Sequence, residues 1–256
     1  RDETLLKKTG PFYGVGVGPG DPELMTVKAV NVLEGSGVLA VPRSRDSCED
    51  GRSKALSILE SVVDVTGKEI LDLEFAMTRD GVERERARRA AAEKIVERLS
   101  AGIDVSFITL GDPMTYSTFS YLVPFVEAAL PGVAVRSVPG ITAFSAFASR
   151  ALVPLAESGE RITVIPAAYE LEDVRKALKE FDTVVLMKVN RVFDKLVDLL
   201  EREGLLGNAL AGTRVGWPEE EITTDLKALR GRKLDYFSTI IVKKKPIHGG
   251  RLKNDG

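Results

Sequence analysis

Tyr13-Gly14-Val15-Gly16-Val17-Gly18-Pro19-Gly20-Asp21-Pro22-Glu23-Leu24 is the stretch that decides the fold. A short apolar run breaks into glycines and then into a helix start. Asp21 stands where a helix N-cap accepts a free amide, and Pro22 fills the first helical position, where its missing N–H is no loss. The glycines allow a sharp turn and let a ligand approach the backbone without a Cβ in the way. The segment is not a dinucleotide fingerprint. Counted from Gly14, the last glycine of Gly-x-Gly-x-x-Gly falls on Pro19; counted from Gly16, it falls on Asp21. No Gly-Lys-Ser/Thr follows, and Asp21 puts a carboxylate where a phosphate would sit. These departures disfavour a nicotinamide-dependent oxidoreductase. A tight strand–helix turn without a ligand stays open for this segment taken alone.

Two further turns repeat the logic. Thr109-Leu110-Gly111-Asp112-Pro113-Met114-Thr115-Tyr116-Ser117 follows an apolar run and opens a helix, as does Val138-Pro139-Gly140-Ile141-Thr142-Ala143-Phe144-Ser145. In open α/β sheets, ligands collect outside the carboxyl ends of the strands. Asp112 at such an end suits a ribose hydroxyl or a cationic group, or it simply caps the helix. Three turns of this kind favour a shared crevice more than any one does.

Outward from these turns, β-branched runs alternate with helical stretches. Strands are expected over 12–17, 37–41, 69–73, 104–110, 133–138, 161–165, 183–189 and 236–243. Helices are expected over 22–34, 53–61, 81–100, 116–130, 142–151, 171–180 and 192–203. The alternation predicts parallel or mostly parallel sheets covered by helices. The 81–100 helix keeps Ala87, Ala91, Ile95 and Leu99 on one stripe, and its interleaved charges read as a solvated face. Arg150-Ala151-Leu152-Val153-Pro154-Leu155 is the candidate boundary, because the residue before a proline is biased out of the helix. We therefore expect an α/β fold of two α/β domains, 12–150 and 155–245, with an unfolded tail after Lys243.

Composition narrows the chemistry. The chain has 256 residues, 44% apolar and 29% charged, with a formal net charge of −2. That is ordinary globular usage, and it lacks the basic excess of a nucleic-acid binder. No apolar run is long enough to span a bilayer, and no hydrophobic signal segment precedes the first strand, so the expected setting is cytoplasmic. Cys48 is the single cysteine and His248 the single histidine. No internal disulfide or cysteine-cluster metal site is expected, and imidazole-driven nucleophilic schemes are disfavoured.

The three turns together resemble the tetrapyrrole methylases, the class III S-adenosyl-L-methionine-dependent methyltransferases. The family pattern appears in order as Gly16–Asp21, Gly111–Pro113 and Pro139–Ala143. Residues 110–118, 154–157, 181–189 and 235–238 resemble most the branch that methylates carbon 20 of precorrin-2 or cobalt-factor II in cobalamin biosynthesis. The resemblance implies two α/β domains with S-adenosyl-L-methionine between them, a tetrapyrrole substrate and a homodimer. It implies cofactor contacts at Pro19, Leu110, Gly111, Asp112, Thr115, Thr142, Ala143 and Met187, and a backbone contact near Val215. The segment Thr213-Arg214-Val215-Gly216-Trp217-Pro218-Glu219-Glu220 departs from the generic family pattern. Met187 and Tyr116 also fit as ordinary packing residues. No metal held by the protein is implied, and the catalytic proton acceptor is not identified. Arg43, Arg45, Arg79 and Lys188 lie near strand ends and are candidates for binding substrate carboxylates, or are surface charges.

Overall fold

A computed structural model describes residues 9–43, 48–49, 52–75, 78, 80–166 and 170–245. The chain divides after Thr142 into two compact units.

The first unit is built on strands β1 (Phe12–Gly16), β2 (Val38–Arg43), a two-residue hairpin of β3 (Cys48–Glu49) and β4 (Arg52–Ser53), then β5 (Glu69–Glu74), β6 (Val105–Thr109) and β7 (Val135–Val138). Five of these form one sheet in the order β5-β2-β6-β1-β7, every pair parallel. Parallel neighbours need crossovers, which α1 (Val27–Gly35), α2 (Lys54–Glu60), α3 (Gly81–Ser100) and α4 (Phe119–Ala129) supply. Ala91, Ile95 and Leu99 of α3 are buried as the stripe predicts. The core centres on Phe12, Phe107 and Phe119, with ring centroids 5.1 and 6.2 Å apart. Each fully buried ring of this kind contributes about 1.5–3 kcal/mol. Gly14 makes the arrangement possible, because a Cβ there would lie 2.5 Å from the Phe119 ring.

The second unit holds α5 (Ala143–Ala151), β8 (Ile162–Ile165), α6 (Leu171–Glu180), β9 (Thr183–Met187), α7 (Phe193–Arg202), β10 (Ala209–Thr213), β11 (Glu221–Thr223) and β12 (Ser238–Lys243). Its sheet runs β11-β10-β12-β9-β8. Strand alternation feeds two cores. Val184, Leu186, Ala211, Ile240 and Val242 face one apolar cluster with α6 and α7, while Val185, Leu210 and Ile241 face another with Phe147 of α5. Gly212 leaves room for the Phe147 ring, which a Cβ would meet at 2.7 Å.

Two expectations are corrected. The second sheet is mostly antiparallel, and only β8–β9 pairs in parallel. Helix α7 does return β10 in the direction of β9, but the last strand, β12, inserts between them and runs against both. The helix expected over 22–34 is interrupted. Asp21 Oδ1 accepts from Glu23 N at 2.9 Å and caps a short 3-10 turn, Pro22–Leu24. Thr26 then caps α1 by accepting from Ala29 N at 3.1 Å. Two capping residues five apart compete for one helix start, and each takes its own.

Of the tail expected to be unfolded, Lys244 and Lys245 are held in place, and residues from 246 on, with His248, lie outside those described. Lys245 Nζ donates to Glu160 Oε1 at 2.7 Å. Lys243, buried at the end of β12, donates from Nζ to the Pro154 carbonyl at 2.7 Å and to Glu160 Oε2 at 3.2 Å. The two ammonium groups, Lys245 first, hold the Glu160 carboxyl well below the usual carboxylate range, at about 2.

Candidate functional site

Strands β6, β1 and β7 are neighbours in the first sheet, so the three turns that follow them emerge side by side at its carboxyl edge. They are fastened through the backbone. Gly111 N donates to the Gly18 carbonyl at 2.7 Å, and Val17 N to the Thr109 carbonyl at 2.9 Å. Gly18 and Gly111 both adopt positive φ, +80° and +68°, which a side chain would strain. Gly16 and Gly140 serve a different purpose. A Cβ on Gly16 would overlap the Gly111 carbonyl oxygen and lie 2.8 Å from Gly140 Cα, and one on Gly140 would overlap the same oxygen. These glycines therefore admit each other's backbone, and their missing Cβ atoms do not open onto a ligand as the sequence reading expected.

Asp112 completes the fastening. Oδ1 accepts from Met114 N at 2.8 Å and from Thr115 Oγ1 at 3.2 Å, and Oδ2 accepts from Gly140 N at 3.0 Å. The carboxylate thus caps its own turn and ties it to the third one. Ser117, buried, adds a bond from Oγ to Thr109 Oγ1 at 3.0 Å and accepts from Phe119 N at 3.2 Å. Tyr116, between them, has φ +54° and is 50% exposed. A left-handed non-glycine residue costs about 1–2 kcal/mol and persists where its surroundings impose it, most often at functional sites.

In this cluster Pro19 and Gly111 are buried, while Leu110, Asp112, Thr115 and Thr142 are half-buried; Ala143, also half-buried, is the first residue of the second unit. The structure therefore gathers Pro19, Leu110, Gly111, Asp112, Thr115 and Thr142 from three distant stretches of the first unit. Gly16 and Gly140, which the sequence placed in the turns but not among the expected contacts, belong to the same cluster. The repeated strand–glycine–helix pattern is the signal that pointed to them.

Met187, Val215 and Lys188 belong to the second unit. Met187 ends β9, and both Met187 and Val215 pack, partly buried, on the apolar cluster of Phe147, Val185, Leu210 and Ile241. The turn carrying Val215 is well fixed. Arg214, at φ +48°, donates from N to the Phe237 carbonyl at 3.1 Å and from Nε to Asp235 Oδ2 at 2.9 Å. Glu220 accepts from Gly216 N at 2.9 Å and from Arg150 Nε at 2.7 Å. Lys188, next to Met187, is half-buried with φ +57°. Arg43 pairs with Asp72 at 2.5 Å at the end of β2. Arg45 and Arg79 lie outside the described residues.

The first-unit cluster offers backbone groups, hydroxyls and small apolar edges. Asp21 stands at the first turn, and no lysine or arginine lies on the three turn motifs. That donor set fits a nucleoside without a phosphate and does not fit a pyrophosphate. Among the described residues no group of His, Cys, Asp and Glu could hold a metal ion, and no helix is long and apolar enough to cross a membrane.

A sequence profile described as tetrapyrrole (corrin/porphyrin) methylases matches residues 11–230, and the chain belongs to that family. It is 36% identical to the cobalt-precorrin-2 C(20)-methyltransferase of Salmonella typhimurium over 92% of this chain and 97% of that one. It is 31% identical to the precorrin-2 C(20)-methyltransferase of a Sinorhizobium species over 91% and 95% of the respective chains. Among solved structures, it resembles the uroporphyrin-III C-methyltransferase of Thermus thermophilus complexed with S-adenosylhomocysteine. That match has a TM-score of 0.64 and 23% identity, covering 92% of this chain and 98% of that one, so it bears on the fold alone.

Proposed function

We propose that the chain transfers the methyl group of S-adenosyl-L-methionine to carbon 20 of precorrin-2, or of its cobalt complex, in cobalamin biosynthesis. The observation that carries the reading is the fastened cluster of three strand-end turns, whose donor set suits a phosphate-free nucleoside. The names of the Salmonella and Sinorhizobium relatives, similar over nearly the whole chain, support the substrate and the position of methylation.

Pro19, Leu110, Gly111, Asp112, Thr115, Thr142, Ala143, Met187 and Val215 are the proposed contacts to the donor. When bound, the donor supplies an electrophilic sulfonium methyl. The turns of the first unit present it from a rigid backbone frame, and orientation of this kind accounts for a large share of the rate. Asp112 acts by holding the second and third turns together, so its carboxylate is committed to the frame and the final proton goes elsewhere. A homodimer in the cytoplasm is the proposed setting, and light scattering tests the dimer.

The decisive experiment offers S-adenosyl-L-methionine with a 13C-labelled methyl to the protein with precorrin-2 and with its cobalt complex. One new carbon-bound methyl at position 20 is expected, and methylation at another ring position overturns the assignment. S-adenosyl-L-homocysteine is expected to bind and NAD to fail; the reverse result returns the oxidoreductase reading.

A further inference from the structure

The second sheet carries two basic residues in left-handed backbone, each directly after a strand end, and their surroundings differ. Arg214 follows β10 and is neutralised by Asp235 at 2.9 Å and Glu219 at 3.3 Å. Lys188 follows β9, is half-buried, and makes no ion pair among the described residues. Its Nζ instead lies 5.4 Å from the centroid of the Tyr236 ring. That ring is braced edge-on by Phe237, with centroids 5.2 Å apart at 85°.

Adjacent strand ends bring these residues together, because β12 lies between β10 and β9. Register sets Thr239 opposite Met187 and Ser238 opposite Thr213. The segment leading into β12 is fixed by Asp235, whose Oδ1 accepts from Phe237 N at 2.8 Å and whose Oδ2 accepts from Arg214. Ser238 Oγ bonds Thr213 Oγ1 at 2.9 Å and donates to the Asp235 carbonyl at 2.7 Å. Asp235, the carboxylate on this segment, is thus committed to Arg214 and to a backbone amide. The ammonium of Lys188 is held by an aromatic face, which attracts a cation without discharging it. A half-buried cation left without a carboxylate is unfavourable until an anion arrives.

We infer that Lys188, steadied by Tyr236, is the receptor for one peripheral carboxylate of the macrocycle. This rests on the tetrapyrrole reading and adds a substrate-binding residue to it. Arg214 plays the complementary part, since its charge is spent on fixing the turn and is not offered to a ligand. Leucine or valine at 188 would add β- or γ-branching to a left-handed residue, whereas methionine keeps an unbranched stem. Lys188→Met therefore removes the charge with little change in shape or backbone strain.

The test is a direct titration of precorrin-2 into the full-length protein, followed by absorbance, with wild type, Lys188→Met and Lys188→Arg. Lys188→Met is expected to bind about tenfold more weakly, and Lys188→Arg to recover most of that loss. S-adenosyl-L-homocysteine affinity is expected to stay within twofold of wild type in both. Esterifying the macrocycle carboxylates is expected to abolish the difference between wild type and Lys188→Met. Equal binding by wild type and Lys188→Met overturns the assignment and leaves the methyltransferase reading standing. A loss that arginine does not restore, or that persists with the ester, marks a structural role and also overturns it. Failure of wild type to bind the macrocycle at all overturns the tetrapyrrole reading, and this inference with it.

Discussion

The two units build their strand ends by opposite means. In the first, three turns meet backbone to backbone through Gly16, Gly111 and Gly140, with the single carboxylate of Asp112 tying the second turn to the third. In the second, the strand ends are held by side chains, with Arg214 between two carboxylates and Lys188 over a ring. The first arrangement is a matter of shape and has no room for an added atom at Gly16 or Gly140. The second is a matter of charge and tolerates substitution that keeps the charge. A frame of glycines suits a ligand whose position must not vary, and a set of long side chains suits one recognised by its anionic rim.

The sharpest break of this contrast is Gly140→Ala. Its Cβ would overlap the Gly111 carbonyl oxygen, a backbone atom that cannot swing aside. We expect a loss of at least about 3 kcal/mol in urea unfolding, together with loss of S-adenosyl-L-homocysteine binding. Gly35→Ala is the control, since nothing lies within 4 Å of a Cβ there. Its stability should change by less than about 1 kcal/mol. If the two variants behave alike, the close approach of the turns is not what fixes them.

Asp112→Ala comes next. It leaves the amides of Gly140 and Met114 without their acceptor. A loss of about 1–2 kcal/mol is expected, with S-adenosyl-L-homocysteine binding weakened about tenfold as the turns separate. Calorimetric titration checks this, and an unchanged affinity would mean that the fastening does not serve the ligand.

A third expectation concerns the charged clamp of the second unit. The Glu160 carboxyl is depressed from 4.5 to about 2 by Lys245 and Lys243. The stability it contributes is therefore complete above about pH 4.5 and lost as pH falls toward 2. The urea midpoint of wild type should decline across that window, and Glu160→Gln should show a shallower decline over the same range. The smallest effect is expected from Arg43→Ala. Its pair with Asp72 is partly exposed, and such pairs contribute about 0–1 kcal/mol.

Much of this was open to sequence reasoning, because the determinants are local. The strands at Val105–Thr109 and Thr183–Met187 are apolar, β-branched runs, and Asp21 and Pro22 announce a helical turn. Ala209–Thr213 escaped, since Ala-Leu-Ala-Gly-Thr carries little strand propensity and becomes a strand by lying beside β12. The antiparallel course of the second sheet escaped because β12 imposes it on β10 and β9 by inserting between them, and the three-residue β11 imposes it on the other edge of β10. In the site, the three turns could be found by their glycines, but what those glycines face could not. Backbone contact between Gly16, Gly111 and Gly140 is a property of the assembled sheet. The left-handed conformations of Lys188 and Arg214 are equally invisible, since neither residue type advertises them.

The glycine contact has a consequence for assembly. Its three members are separated by most of the length of the first unit, so they can touch only after β1, β6 and β7 have taken their places in the sheet. Contacts between such distant stretches form late, once the loops between them have closed. The amides of Gly111 and Gly140 should accordingly be slow to exchange with deuterium in the native protein and late to gain protection during refolding. The frame proposed to hold the methyl donor would thus come into being only as that sheet is completed, and on that proposal a partly folded chain has no means of binding it.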